Sequence, residues 1–246
     1  MPAENLSFET AKRGQLAEPH VVEMRGFELF SGMPEDSFET LMRTTHVQAF
    51  PPRTMLITEA GPPDFLHVVL SGSVELFSNW NGRETSVATV RPVGTFILAA
   101  SIRNAPYLMS ARTLEESRVA MIPSEEVRAM FDSDAAFAHA IVNELAQCFR
   151  TVVKHNKDLK LRTSLERLAN YLLREMQRND ATEFDLNTEK RRLASFLGMT
   201  PENLSRAFKG LEKHGLRVKG SRITIANLQD LTAFAKPSPL IDDFTT

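Results

Sequence analysis

The chain has 246 residues, is 42% hydrophobic, and carries 29 Lys and Arg against 31 Asp and Glu. This length allows one large or two modest domains of an ordinary globular protein. No run approaches the roughly 18 consecutive apolar residues of a membrane span, and the N-terminus lacks the features of a secretory signal. The single cysteine, Cys148, excludes an intrachain disulfide. We therefore expect a cytoplasmic protein without a membrane partner.

The charge is distributed unevenly along the chain. Residues 1–149 hold 11 Lys and Arg against 19 Asp and Glu, whereas residues 150–222 hold 17 against 9. A basic C-terminal region joined to an acidic N-terminal region indicates phosphate contacts at one end only. The alternative is that the basic residues simply form a solvated face.

The N-terminal half begins with a polar stretch and continues into a strand-rich region. Residues 1–22 are polar and lack a sustained period, so an N-terminal arm is predicted over residues 1–24. Apolar residues from Phe27 to Met42 indicate short helices. Short apolar runs separated by Gly, Pro and Asn turns then predict an all-β roll or barrel. The runs are Thr54–Ile57, Leu66–Leu70, Val74–Phe77, Ser86–Val90 and Val119–Ile122. Asn81-Gly82 is the strongest hairpin signal, and Ser124 is predicted to cap the following helix.

A long helix is predicted from Ala135 to Asp158. Its apolar residues alternate four and three positions apart, the spacing of an a/d seam in a two-stranded coiled coil. The seam comprises Ile141, Leu145, Cys148, Val152, His155 and Leu159. We therefore expect a homodimer joined along this helix. The alternative packs the stripe onto the roll of the same chain.

The following residues have the element order of a winged helix-turn-helix. Ser164 and Thr188 are predicted to cap two helices, and Gly198 lies where a left-handed residue ends the second. Thr200 then caps a third helix with Pro201 in its first turn. Residues 216–219 and 222–225 form a basic hairpin wing.

The third helix divides into an apolar stripe and a polar face suited to a DNA major groove. Glu202 can accept from a cytosine amino group, Arg206 can bridge O6 and N7 of guanine, and Ser205 can donate or accept. The predicted DNA contacts are Thr200, Glu202, Asn203, Ser205, Arg206, Lys209, Lys219 and Arg222. The alternative is an ordinary three-helix domain whose charged residues are merely exposed.

Residues 25–235 together resemble the bacterial regulator superfamily of the cAMP receptor protein and FNR. Glu202-x-x-Ser205-Arg206 is similar to the E-x-x-S-R signature of the FNR branch, and Pro201 stands where the cAMP receptor branch has Arg. The resemblance implies TTGAT rather than TGTGA half-sites, with double-stranded DNA, a second copy and RNA polymerase as partners. Whether transcription is activated or repressed stays open.

The resemblance also implies an α+β fold with a defined order of domains. The expected order is an N-terminal arm (1–24), a cyclic-nucleotide-binding-like β-roll (25–133), a dimerisation helix and hinge (134–160), a winged helix-turn-helix (161–236) and a tail (237–246).

Two departures from the family concern the signal. The polar anchors that bind a cyclic nucleotide in the family are replaced by Leu98-Ala99 and Tyr107-Leu108. A cyclic phosphate would leave its charge unpaired there, which argues against cAMP. An FNR-type iron–sulfur cluster needs about four cysteines, and this chain has one. The effector and cofactor are therefore unknown.

The replacements create an apolar patch that is one hypothesis for an effector pocket. By family analogy the pocket comprises Phe96, Leu98, Ala99, Tyr107, Leu108 and Phe149. A haem that senses NO, CO or oxygen is one candidate ligand. Its candidate axial ligands are His67, His139, His155, Cys148 and the N-terminal amine. The competing interpretation is that His67 and the patch belong to the core. Two copies of Cys148 could also form a redox switch across the seam, unless Cys148 is simply a small buried side chain.

Two other classes of protein remain as alternatives. A cupin-like metalloenzyme also uses a β-roll, but its site needs two or three His with a carboxylate, and the roll offers His67 alone. A scaffold that uses the roll for protein contacts would not bind DNA. On the motif above we expect a DNA-binding regulator and no enzyme.

Overall fold

The computed structural model describes residues 18–186 and 188–243, with side chains from residue 21 onward. Within this part the chain divides into two compact units. The first unit holds residues 18–76 and 89–144, and the second holds residues 77–88 and 145–243. The predicted α+β class, with an N-terminal sheet domain, a long helix and a C-terminal helix-turn-helix, is confirmed.

Three helices open the first unit: α1 (Glu18–Arg25), α2 (Glu28–Ser31) and α3 (Glu35–Thr44). The expectation of an unstructured arm up to residue 24 is wrong from Glu18 onward, and residues 1–17 lie outside the described part. Met24 is fully buried, and Glu23 forms a 2.5 Å ion pair with Arg118. These contacts hold α1 against the unit despite its polar composition.

Eight strands form two four-stranded sheets in the order β1-β8-β3-β6 and β2-β7-β4-β5. The strands are β1 (His46–Phe50), β2 (Met55–Ile57), β3 (Phe65–Ser71), β4 (Val74–Trp80), β5 (Arg83–Val90), β6 (Gly94–Phe96), β7 (Ser110–Thr113) and β8 (Ser117–Pro123). All five predicted apolar runs are strands. The hairpin at Asn81 and Gly82 has the two left-handed residues expected of it, with φ 50° and 74°.

The helices of the roll are α4 (Leu98–Arg103), α5 (Ser124–Ser133) and the 27-residue α6 (Ala135–Leu161). Ser124 was predicted as an N-cap, but α5 begins at Ser124 itself and Pro123 occupies the cap position. The Ser124 hydroxyl is buried without a hydrogen-bond partner in the described structure. The prediction was wrong by one residue because the strand continues to Pro123.

The second unit contains the C-terminal part of α6 and the remaining elements. These are α7 (Ser164–Asn179), β9 (Glu183–Asp185), α8 (Lys190–Phe196), α9 (Pro201–Leu211), a 3-10 turn (Glu212–His214), β10 (Leu216–Lys219), β11 (Arg222–Ile225), α10 (Leu228–Ala235) and α11 (Pro239–Asp242). The strands form one sheet in the order β10-β11-β9. The tip of the β4–β5 hairpin also belongs to this unit, where the Ser86 amide donates to Ser195 Oγ at 2.8 Å.

Two predicted caps of this unit lie one residue away from the observed ones. Thr163, not Ser164, caps α7, and it forms a reciprocal capping box with Glu166. Glu189, not Thr188, occupies the cap of α8, and its side chain makes no capping bond. Leucines of α7, α8 and α9 meet in one core, which includes Leu168, Leu172, Leu193, Leu197, Leu204 and Leu211.

Candidate nucleic-acid interface

The helix α9 is set by local signals at its N-terminus. Gly198 has φ 62°, so the turn before the helix uses a left-handed residue as predicted. Thr200 caps the helix, accepting from the Asn203 amide at 3.2 Å, and Pro201 follows at its first position. Leu204 and Leu211 are buried on the inner face. This fixes which side chains of α9 face solvent.

The outer face of α9 carries the predicted DNA-reading residues. Glu202, Asn203, Ser205, Arg206 and Lys209 are all exposed. The pKa of Glu202 is lowered by hydrogen bonds from its own backbone amide and from Thr200. Glu202 is therefore an anionic acceptor near neutral pH, as recognition of a cytosine amino group requires.

Hydrogen bonds within α9 restrict what two of these side chains can do. The Ser205 hydroxyl donates to the Pro201 carbonyl at 3.0 Å, so its oxygen is left as an acceptor towards DNA. Arg206 Nη2 donates to Asn203 Oδ1, which orients the guanidinium along the helix. Arg206 retains donors for a bidentate contact to guanine.

The wing supplies basic side chains beside this helix. Lys219 is exposed next to Gly220 at the hairpin turn. Arg222, also predicted to contact DNA, is exposed and its guanidinium pairs with Glu183 at 2.6 Å and with Asp185 at 3.4 Å. Arg217 is exposed two residues before Lys219 on β10. The alternation of the strand places both on one face, a signal that could have identified Arg217.

Arg167 links the end of α6 to the turn before α9. Its side chain is buried, and its Nε donates to the Leu197 carbonyl at 2.8 Å while Nη1 donates to the Arg162 carbonyl at 2.7 Å. Carbonyls at helix ends lack partners within the helix and attract a cation. Sequence reasoning missed Arg167 because it stands inside an apolar stripe of α7 and its partners are distant in sequence.

The residues predicted to form a seam on α6 differ in exposure. Ile141 is fully buried within its own unit, so it does not fit the interface assigned to it. His155 is half-buried, with its ring 5.4 Å from that of Phe196. Phe149 and Val152 are 69% and 64% exposed. The exposed large apolar residues of α6 are Val142, Phe149, Val152, Val153, Leu159 and Leu161, and Cys148 is also exposed.

The residues of the predicted effector pocket differ in exposure. Phe96, Leu98 and Tyr107 are buried, whereas Ala99 is exposed and Leu108 is 82% exposed. Phe149, on α6, is also exposed. The exposure of Ala99 and Leu108 follows from the chain leaving the sheet after β6, since the residues around Leu108 connect α4 to β7.

His67 is a buried histidine of the first unit. Its ring stacks on Phe96 with 4.8 Å between centroids, and burial lowers its pKa to about 4. Its Nδ1 has no hydrogen-bond partner within the described chain. His67 is therefore neutral at physiological pH. Of the other proposed axial ligands, His139, His155 and Cys148 lie on α6, where His139 is exposed and hydrogen-bonds Asn143. The N-terminal amine lies outside the described residues.

Neither a metal centre nor a membrane span is evident among residues 18–186 and 188–243. No group of three or more His, Cys, Asp or Glu in this part is arranged to hold a metal ion. No helix of the described chain is long and apolar enough to cross a bilayer.

Two family models match consecutive parts of the chain. Residues 47–134 match the cyclic nucleotide-binding domain, and residues 166–234 match the Crp-like helix-turn-helix domain. The first covers the strands of the roll, and the second covers α7 to α10.

The chain is also similar to regulators over most of its length. The CRP-like cAMP-activated global transcriptional regulator of Mycobacterium tuberculosis is 23% identical over 217 residues, which cover 85% of this chain and 96% of that protein. The structure of a regulatory protein from Silicibacter pomeroyi DSS-3 is 27% identical, with a TM-score of 0.58, covering 90% of this chain and all of that one. FixK2 from Bradyrhizobium japonicum has the same fold, with 23% identity and a TM-score of 0.66 over 79% of this chain and 98% of its own.

Proposed function

Because the chain belongs to the CRP/FNR superfamily of transcription regulators, we propose that it binds a palindrome of TTGAT half-sites as a homodimer. The observation that carries this proposal is the exposed face of α9, where Glu202, Ser205 and Arg206 project from a capped helix. We propose that Arg206 reads the guanine of TTGAT and Glu202 the cytosine paired with it. Ser205 then accepts from a neighbouring base.

The dimer is proposed to form along the exposed apolar face of α6. Phe149 and Val152 are large side chains on one helix face with more than half their surface exposed. A second copy would bury this face. Two recognition helices would then enter successive major grooves about one helical turn apart.

The roll is proposed to sense a signal other than cAMP and to transmit it through α6. The Thr95 hydroxyl of β6 donates to Glu144 of α6 at 2.9 Å. This strand of the roll is therefore hydrogen-bonded directly to the helix that would form the dimer. We assign the sensor to residues 25–133, the dimerisation helix and hinge to 134–160, and the DNA-binding domain to 161–236. The cytoplasm and RNA polymerase remain its expected location and partner.

Binding to a defined duplex tests this function. Fluorescence anisotropy at about 150 mM salt should show affinity for TTGAT-x4-ATCAA that exceeds that for a scrambled duplex by about 1,000-fold. Equal affinities would contradict the proposal and favour a scaffold or an enzyme. Repeating the measurement on protein purified with and without oxygen, and with cAMP added, tests the signal. We expect no change with cAMP.

A further inference from the structure

The short helix α11 is fastened across the junction between α6 and α7. Asp242 accepts from both terminal nitrogens of Arg162, at 2.7 and 2.6 Å, and from Arg174 Nη1 at 2.7 Å. Its Oδ2 also accepts from the Ser238 amide at 2.7 Å. One carboxylate therefore joins the residue that follows α6 to the middle of α7.

The charged groups at this junction are largely withdrawn from water. The side chains of Arg162, Asp242 and Arg174 are 8%, 11% and 12% exposed. Asp158 adds a second carboxylate to Arg162 at 2.9 Å. Burial alone raises the pKa of Asp242, but the hydrogen bonds from Arg162 and Ser238 outweigh it and the pKa is lowered. The carboxylate therefore stays charged at neutral pH and holds both guanidinium groups.

Lysines of α6 bind the same segment from the other side. Lys154 Nζ donates to the Asp243 carbonyl, and Lys157 Nζ donates to the Leu240 carbonyl at 3.3 Å. Carbonyls at the end of a short helix are favoured partners for such cations. With these two bonds, α11 is attached to both helices that meet at the junction.

The junction between α6 and α7 is linked by side-chain contacts to the turn before α9. Only Arg162 and Thr163 separate α6 from α7. The Arg162 side chain is held by Asp242, and its carbonyl accepts from Arg167, which also binds the Leu197 carbonyl before the turn. Movement at Arg162 would therefore displace the contacts that place α9.

We propose that Asp242 is a positioning residue for DNA binding, which fixes the angle between the dimerisation helix α6 and α7, the helix that packs against α9. The proposal rests on the proposed function. In a dimer joined along α6, this angle sets the distance between the two recognition helices. Asp242 thereby determines which spacing between half-sites the protein accepts.

The experiment compares Asp242→Asn with wild type on TTGAT palindromes with spacers of three, four and five bases, and on a single half-site. We expect wild type to prefer the four-base spacer. In the variant, the ratio of affinities for the four-base spacer and for the other spacers should fall about tenfold. A single residue can change the coupling between sites by an amount of this size. Its affinity for the single half-site should stay unchanged, because the face of α9 is intact. Asp242→Glu, which keeps the carboxylate, should restore part of the preference.

Asp132→Asn is the matched control, since it removes the same charge from an exposed position on α5. An unchanged spacer preference in Asp242→Asn would overturn the proposal. An equal loss on all duplexes, including the half-site, would also overturn it, because Asp242 would then only support the fold. Failure of the proposed function would appear differently, as wild-type protein that binds the palindrome and a scrambled duplex equally.

Discussion

The two units of this protein differ in where their polar chemistry lies. In the second unit, Glu202 and Arg206 are exposed on a helix whose orientation is fixed by a cap and a glycine turn. In the first unit, Leu98 and Tyr107 stand where the family resemblance implies polar anchors for a cyclic nucleotide, and both are buried. The second unit therefore presents polar groups that a partner can reach, whereas the corresponding positions of the first unit are apolar or bulky and inaccessible.

Two buried polar side chains illustrate how such groups are accommodated. Arg167 of the second unit donates to the carbonyls of Leu197 and Arg162. His67 Nδ1 of the first unit has no partner in the described part of the chain, and neither do Asn170 Oδ1 and His214 Nε2 of the second unit. Burial lowers the pKa of His67, so this histidine makes the stability of the first unit dependent on pH.

The largest predicted effect concerns the exposed face of α6. Replacing Phe149 and Val152 together by Glu should weaken palindrome binding by about 4 kcal/mol, if each side chain is a hot spot of about 2 kcal/mol. Charge at these positions would oppose the dimer without touching α9. Sedimentation and anisotropy measure the two effects. Val22→Glu, at a site 73% exposed on α1, is the control and should be neutral. A dimeric double variant would place the interface elsewhere.

The second prediction concerns how the unfolding free energy of the first unit depends on pH. Burial lowers the pKa of His67 from 6.5 to about 4, so the unfolded chain binds a proton between these values while the folded chain does not. His67 thus contributes stability that is fully present above about pH 6.5 and is lost as the pH falls towards about 4. The loss amounts to about 3 kcal/mol of unfolding free energy.

Urea unfolding at pH 7 and pH 4 measures this contribution. His67→Gln should lose about 3 kcal/mol less than wild type over that interval, because the variant has no group to protonate there. Parallel pH profiles for the two proteins would show that His67 is not held neutral by burial, and the contrast between the units would weaken.

The third prediction concerns two of the proposed DNA contacts of the second unit. Arg206→Ala should cost 1–3 kcal/mol, roughly, on the TTGAT palindrome and relax selectivity at its guanine. Lys219→Ala should instead weaken specific and scrambled duplexes alike and reduce the salt dependence by about one phosphate contact. Titrations at several salt concentrations distinguish the two. If both variants bind as wild type does, α9 is not the reading helix.

The smallest effect concerns the turn before α9. Gly198 has φ 62°, and a Cβ there would lie 2.7 Å from Leu159 Cδ2. Gly198→Ala should lower the unfolding free energy by about 1 kcal/mol, mostly through backbone strain, since the leucine side chain can move. Gly32→Ala provides the comparison, because that glycine has φ −89° and an open surrounding. If the two variants lost equal stability, an alanine at position 198 would not strain the backbone of the turn.

The parts of the structure that were predictable from sequence are those fixed by local signals. Gly198, Thr200 and Pro201 determine the start of α9 within four residues, and Asn81-Gly82 determines a hairpin. The strands β1, β6 and β7 were not predicted. Gly94–Phe96 is very short, Ser110–Thr113 is polar, and His46–Phe50 lies between the residues assigned to short helices and Pro51-Pro52. The capping box of Thr163 and Glu166 was a local signal that the prediction overlooked.

Contacts between distant residues explain what remained unpredicted. Arg167 and Leu197 are 30 positions apart, and Arg162 and Asp242 are 80 apart. Nothing near Asp242 in the sequence indicates its partners, so the tail gave no sign of the helix α11. The prediction that Ile141 belongs to a dimer seam failed for a related reason. Periodicity alone does not show that this residue is buried within its own unit.

Competition between two palindromes tests the central claim most directly. The protein is bound to a labelled TTGAT-x4-ATCAA duplex and displaced by unlabelled duplexes with TTGAT or TGTGA half-sites and the matching spacer. Pro201 precedes Glu202, and Arg206 is proposed to read one guanine. The TTGAT competitor should therefore displace the label at a concentration about tenfold lower than the TGTGA competitor needs. Equal or better displacement by the TGTGA duplex would contradict an FNR-like reading helix.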